Sequence, residues 1–133
     1  MIHKVQYYET DMMGVTHHAN YIHWMEEARI AFMDEIGFPY KRMEAEGVLS
    51  PVKSIQVNYL KPCTFGDEVD VTVRVKDFNG VVITLTYEMR VNGETVFAGT
   101  SEHVFLDREG KFVRMRKVMR AFCEAVEQRM AGE

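Results

Sequence analysis

Apolar residues along this chain keep two different spacings, and the change between them outlines the fold. From Ala19 to about Ile36, Tyr21, Met25, Ala28, Phe32 and Ile36 recur at three- and four-residue steps, the period of one helix face. Ile22, Trp24, Ala31 and Met33 widen that stripe, so the helix is expected to be buried on most sides, with Glu26, Glu27, Arg29 and Asp34 among its charges. Gly37 and Pro39 stop it. Ahead of the helix, "IHKVQYY" reads as a first strand.

After a loop the period becomes two. Ile55, Val57 and Tyr59 alternate with Gln56 and Asn58; Val69, Val71, Val73 and Val75 alternate with Asp70, Thr72 and Arg74. Ile83, Leu85, Tyr87, Met89 and Val91 alternate with Thr84, Thr86, Glu88 and Arg90. Each run predicts a half-buried strand. Asn79-Gly80 and Asn92-Gly93 fall between successive strands, and Asn-Gly suits the tight hairpin turn whose two central residues both take positive φ. "TVFAGTSEHVFLD" continues as a long strand, "REGK" is a further turn, and Val118, Phe122, Val126 and Met130 mark a C-terminal amphipathic helix. The order is strand, long apolar helix, antiparallel meander. That predicts one α+β layer, a sheet curled around the early helix, and open sheet edges that a second copy would close.

Composition narrows the classes. The 133 residues suit one domain spanning 1–133, and 47% hydrophobic content provides for a core. No run of 18 apolar residues occurs, and "MIHKVQYYET" has no signal-peptide apolar centre, so the expected place is the cytoplasm. A formal charge of -4 gives no general attraction to nucleic acid. Cys63 and Cys123 have no C-x-x-C pairing and are expected to be free thiols.

Chemistry concentrates in "ETDMMGVTHHANY". Asp11 precedes Gly14, and the helix starts near His17 to Asn20. A helix start offers unpaired N–H groups and a partial positive charge, a place to hold a developing oxyanion. A carboxylate seven residues earlier could attack a carbonyl held there, or take a proton from water. Asp is equally a routine turn and cap residue, so the residues alone leave both readings open. His17, His18 and His23 make a poor zinc set, since adjacent histidines on a helix diverge by about 100 degrees. No G-x-S-x-G, paired Cys/His or phosphate-binding glycine loop is present, and no cofactor is expected. A second candidate is "KFVRMRKVMR", where Lys111, Arg114, Arg116, Lys117 and Arg120 crowd together in an acidic chain. It could hold substrate phosphates, or be a solvated basic face.

The run "YYETDMMGVTHHANY", with "IQVNYLKPCTFGDEVDV" downstream, resembles the signature of hotdog-fold acyl-CoA thioesterases of the 4-hydroxybenzoyl-CoA thioesterase type, the YbgC-like members in particular. The resemblance covers nearly the whole chain. It departs from the usual pattern at His17 and at Met12-Met13. It implies a long helix wrapped by a five- or six-stranded antiparallel sheet, dimers or tetramers, and metal-free hydrolysis of an acyl-CoA. Asp11 matches the catalytic carboxylate and position 18 the residue whose backbone N–H polarises the thioester carbonyl. Asn20 and Tyr21 match positions that line or support the pocket, and Arg114, Arg116 and Lys117 are the candidates for CoA phosphates. Two alternatives on the same fold are a hydratase and a non-catalytic acyl-CoA-binding protein. The hydratase type uses an Asp-x4-His pair, which Asp11-x6-His18 does not match; the binding type lacks the carboxylate.

Overall fold

The computed structural model describes residues 1–133. Its elements are β1 (Ile2–Lys4), a 3-10 turn (Tyr7–Glu9), α1 (Ala19–Glu35), α2 (Tyr40–Ala45), β2 (Val52–Tyr59), β3 (Glu68–Phe78), β4 (Val82–Val91), β5 (Glu94–Val104), α3 (Met115–Val118) and α4 (Arg120–Gly132). The five strands form one antiparallel sheet in the order β1-β3-β4-β5-β2. No helix is long and apolar enough to cross a membrane.

The helix expected from Ala19 to Ile36 is α1. Gly37, at φ +87°, ends it: the Phe38 N–H reaches back to the Met33 carbonyl at 2.9 Å, the long bond of a Schellman cap. Phe38 then packs edge-on against Phe122 of α4. Tyr21, Trp24, Met25, Ala28 and Phe32 are buried under the inner faces of the strands.

Several expectations change. The first strand shrinks to Ile2–Lys4, because the Glu9 side chain accepts the Gln6 N–H at 2.8 Å and curls residues 7–9 into the 3-10 turn. Only Asn92-Gly93 takes positive φ at both residues; in Asn79-Gly80 only the glycine does. There Asn79 Oδ1 accepts the N–H groups of Val81 and Val82 instead, at 2.9 and 2.8 Å. The valine alternation of β3 breaks at a bulge between Val75 and Asp77, so that Val69, Val71 and Val75 share the buried face with Phe78. Phe78, Phe105 and Phe122 then form a mutual edge-to-face cluster that seats α4.

β2 differs most from its pattern. Ile55, Val57 and Tyr59 pair with Ser101, Gly99 and Phe97 and share their inward direction. Yet Ile55 is 37% and Tyr59 46% exposed, because this chain covers the inner side of that edge strand only in part, through Tyr21 and the start of α1 against Tyr59. Both cysteines are free and buried.

Candidate active site

The site forms where the chain turns from the sheet into α1. The Asp11 N–H bonds the Val15 carbonyl at 2.9 Å and the Gly14 N–H bonds the Asp11 carbonyl at 3.0 Å, closing a tight loop that needs Gly14 at φ +77°. Val15 bridges to Thr64, and the Thr16 N–H and hydroxyl both donate to the Cys63 carbonyl, fastening the loop to the segment entering β3. One Asp11 oxygen, Oδ1, accepts the Met13 N–H at 2.8 Å. Oδ2 has no protein donor. The turn role and a free carboxylate oxygen therefore coexist in one side chain.

Helix α1 starts without a capping Ser, Thr or Asp. The His17 Nδ1 accepts the Ala19 N–H at 3.2 Å, and the His17 carbonyl accepts the Asn20 N–H. The His18 N–H between them makes no hydrogen bond within the chain. The His18 ring stacks on His17 with centroids 4.2 Å apart and is exposed. Its carbonyl accepts the Tyr59 hydroxyl at 3.1 Å, a tie from edge strand β2 to the helix start.

Asp11, His18 and Tyr21 line one cleft of about 370 Å³, together with Val15, Tyr59 and Leu60 among others. Tyr21 is nearly buried, and burial with Cys63 beside it pushes its hydroxyl above the ordinary pKa, so it stays protonated. Asn20 supports the cleft: its Nδ2 donates to the Glu9 carbonyl at 2.8 Å, and the His17 N–H donates to the same oxygen at 2.8 Å.

The basic residues lie elsewhere. Arg114, Arg116 and Lys117 line a separate depression of about 340 Å³ with Asn79, Gly80 and Val81. That is the far end of the β3–β4 hairpin, while Asp11 lies beside the start of β3, about 30 Å away for a strand of 11 residues. Arg116 is held in place by Glu127 at 2.6 Å. No group of three or more His, Cys, Asp or Glu is arranged to hold a metal.

Two residues of this region escaped the sequence reading as site residues. Tyr59 looked like one more inward strand position; its pairing to the His18 carbonyl depends on tertiary packing. Glu9 stood unremarked at the head of "ETDMMGVTHHANY", yet is 5% exposed. Burial pushes its carboxyl up, but hydrogen bonds from Gln6, His3 and Trp24 outweigh this and hold it below the usual value. The one signal available was its place in an acidic pair two residues apart, "ETD".

Across residues 5–123 the chain matches the family model of the thioesterase-like superfamily. It belongs to that superfamily. YneP of Bacillus subtilis, which carries a provisional acyl-CoA thioesterase name, is 39% identical over 94% of this chain and 92% of its own length. The acyl-CoA thioester hydrolase YbgC of Escherichia coli O157:H7 is 27% identical over 74% of this chain and 73% of its own. The solved DHNA-CoA thioesterase of Staphylococcus aureus superposes with a TM-score of 0.93 at 31% identity, covering 98% of this chain and 89% of that one. The α+β hotdog fold and the resemblance to YbgC-like thioesterases are thereby shown.

Proposed function

We propose that this cleft hydrolyses acyl-CoA thioesters, with Asp11 as nucleophile or general base and the His18 N–H as oxyanion donor. One observation carries the reading: a carboxylate with an oxygen lacking any protein donor and an unpaired helix-start N–H line the same cleft. The thioester carbonyl accepts the His18 N–H, which stabilises negative charge as it develops on oxygen. Asp11 then either attacks the carbonyl carbon, or takes a proton from the water that does. The C–S bond then breaks: in the first route this leaves the acyl group on Asp11 as an anhydride that water hydrolyses, in the second the water has already added, and in both the water's oxygen ends in the free acid and its proton on the departing CoA thiolate. Tyr21, protonated and nearly buried, remains a hydroxyl donor at the wall. The presence of Asp11 favours catalysis over mere acyl-CoA binding.

The working unit is a homodimer or homotetramer. Support comes from edge strand β2, whose inward row Ile55, Val57 and Tyr59 is left partly uncovered by its own chain and whose outer backbone is unpaired. With about 30 Å between the basic depression and Asp11 of the same chain, Arg114, Arg116 and Lys117 serve the phosphates of a substrate whose thioester lies in another copy's cleft.

The test is Asp11→Asn, which keeps the turn acceptor Oδ1 and removes the charge. Free-thiol release from a panel of short, long and aromatic acyl-CoAs should show kcat lowered at least about 100-fold. Near-normal turnover would refute the role of Asp11. A monomer by light scattering at micromolar concentration would refute the assembly.

A further inference from the structure

Glu9 carries a buried carboxylate that the hydrolysis scheme does not use. Its Oε1 accepts the Gln6 N–H and meets His3 Nε2, both at 2.8 Å, and its Oε2 accepts the Trp24 Nε1–H at 2.8 Å. These three donors come from three places: strand β1, the residue that caps the 3-10 turn, and the second turn of α1. The same residue's carbonyl accepts the His17 N–H and the Asn20 side chain. Glu9 is thus tied at its side chain and at its backbone to both sides of the loop that follows it. That loop, Thr10 to His18, is closed at its neck by the Glu9–His17 bond and by the Thr10–Thr16 bridge. It delivers Asp11 from one side and the His18 N–H from the other.

A surface glutamate would not gather this set. Charged acceptors make the stronger hydrogen bonds, and a buried carboxylate left with fewer donors than it needs is costly. Each donor also constrains direction: Trp24 fixes the neck against the axis of α1, and His3, whose ring lies 4.6 Å from the Trp24 ring, fixes it against the sheet. Moving the neck would change the separation of Asp11 from the His18 N–H without touching either group.

We infer that Glu9 is a positioning residue for the hydrolysis, its carboxylate setting the placement of Asp11 relative to the helix start through Trp24, His3 and the neck of the loop. The inference rests on the roles of Asp11 and the His18 N–H proposed above. Glu9→Gln tests it, because an amide nitrogen would face one of the three N–H donors. A misplacement on the order of 1 Å can cost about 100-fold in rate, so the expected loss in kcat is about 10- to 100-fold with KM within about twofold.

Trp24 is the only tryptophan in the chain, so its emission reads the contact directly. The experiment measures kcat, KM and far-UV circular dichroism for wild type, Asp11→Asn, Glu9→Gln, Trp24→Phe and the Glu9→Gln/Trp24→Phe double variant, and Trp24 emission for the first three. Expected are a folded Glu9→Gln with altered Trp24 emission and the stated kcat loss, a lowered kcat in Trp24→Phe, and a double variant no slower than the slower single one, since the two act as a unit. Asp11→Asn should leave the emission unchanged. Wild-type kcat in folded Glu9→Gln overturns the inference, as does a double variant whose losses multiply. If Glu9→Gln does not fold, Trp24→Phe decides: a wild-type kcat there overturns it. Absence of hydrolysis by the wild type itself would instead refute the thioesterase reading.

Discussion

Substituting His18 separates the backbone of the proposed oxyanion site from its side chain. The N–H of residue 18 has no partner in the chain, so His18→Pro removes a group that holds nothing else in place. Residue 18 sits at φ -55°, within the range the proline ring imposes. Its carbonyl, which holds the Tyr59 hydroxyl, is retained. The fold should therefore survive while the oxyanion donor is lost. A single such donor is worth about 2.7–4 kcal/mol, or about 100- to 1000-fold in kcat. His18→Ala keeps the N–H and loses the exposed ring that stacks on His17, so its kcat should stay within about tenfold of wild type. Both variants are assayed for thiol release from a saturating acyl-CoA, with circular dichroism and Trp24 emission confirming the fold. Equal losses in the Ala and Pro variants would refute the backbone assignment and give the imidazole the role.

Two other measurements bear on the remaining groups. Arg116 is already engaged by Glu127, so Arg114→Ala/Lys117→Ala should raise KM for acyl-CoA more than it lowers kcat, and wild-type KM should rise with salt; an unchanged KM makes the depression a solvated surface. Burial, with the charge of Arg29 second, pushes the His103 imidazole from 6.5 down to about 3. The unfolded chain thus takes up a proton that the folded one refuses: this stability is complete above about pH 6.5 and lost as pH falls toward 3, at up to about 1.4 kcal/mol per pH unit. His103→Gln should flatten the dependence of denaturant-measured stability on pH between 6 and 4, and an unchanged slope would show that other groups set it.

Periodicity made the elements legible. The three-four spacing through Tyr21, Met25, Ala28 and Phe32 marks α1 because those residues meet the sheet over its whole length. The valine alternation marks β3 for the same reason. What failed to show was everything set by partners distant in sequence. Ile55 and Tyr59 carry an inward pattern that one chain cannot bury, so alternation and burial disagree there. Glu9 is joined to Trp24 across 15 residues, and no local spacing marks such a pair. At the site, Asp11 and the start of α1 were legible because a turn and a helix start are local events. The basic cluster was legible as a cluster; its place at the opposite end of the β3–β4 hairpin was not, since that follows from sheet order.

The bulge between Val75 and Asp77 has a consequence for insertions and deletions. Up to Val75 the strand shows its odd-numbered residues to the core; beyond the bulge Phe78 is the one that faces inward. Losing Lys76, the extra residue of the bulge, would restore uniform alternation with Phe78 still inward, but pairing all of residues 75 to 78 without the bulge would turn the Phe78 ring toward water. With it would go one side of the aromatic seat that Phe105 and Phe122 complete for α4. The docking of the C-terminal helix is therefore written in how many β3 residues enter the ladder more than in the chemistry of any one residue, and a one-residue deletion in β3 is tolerable at the bulge, where the extra residue stands outside the ladder.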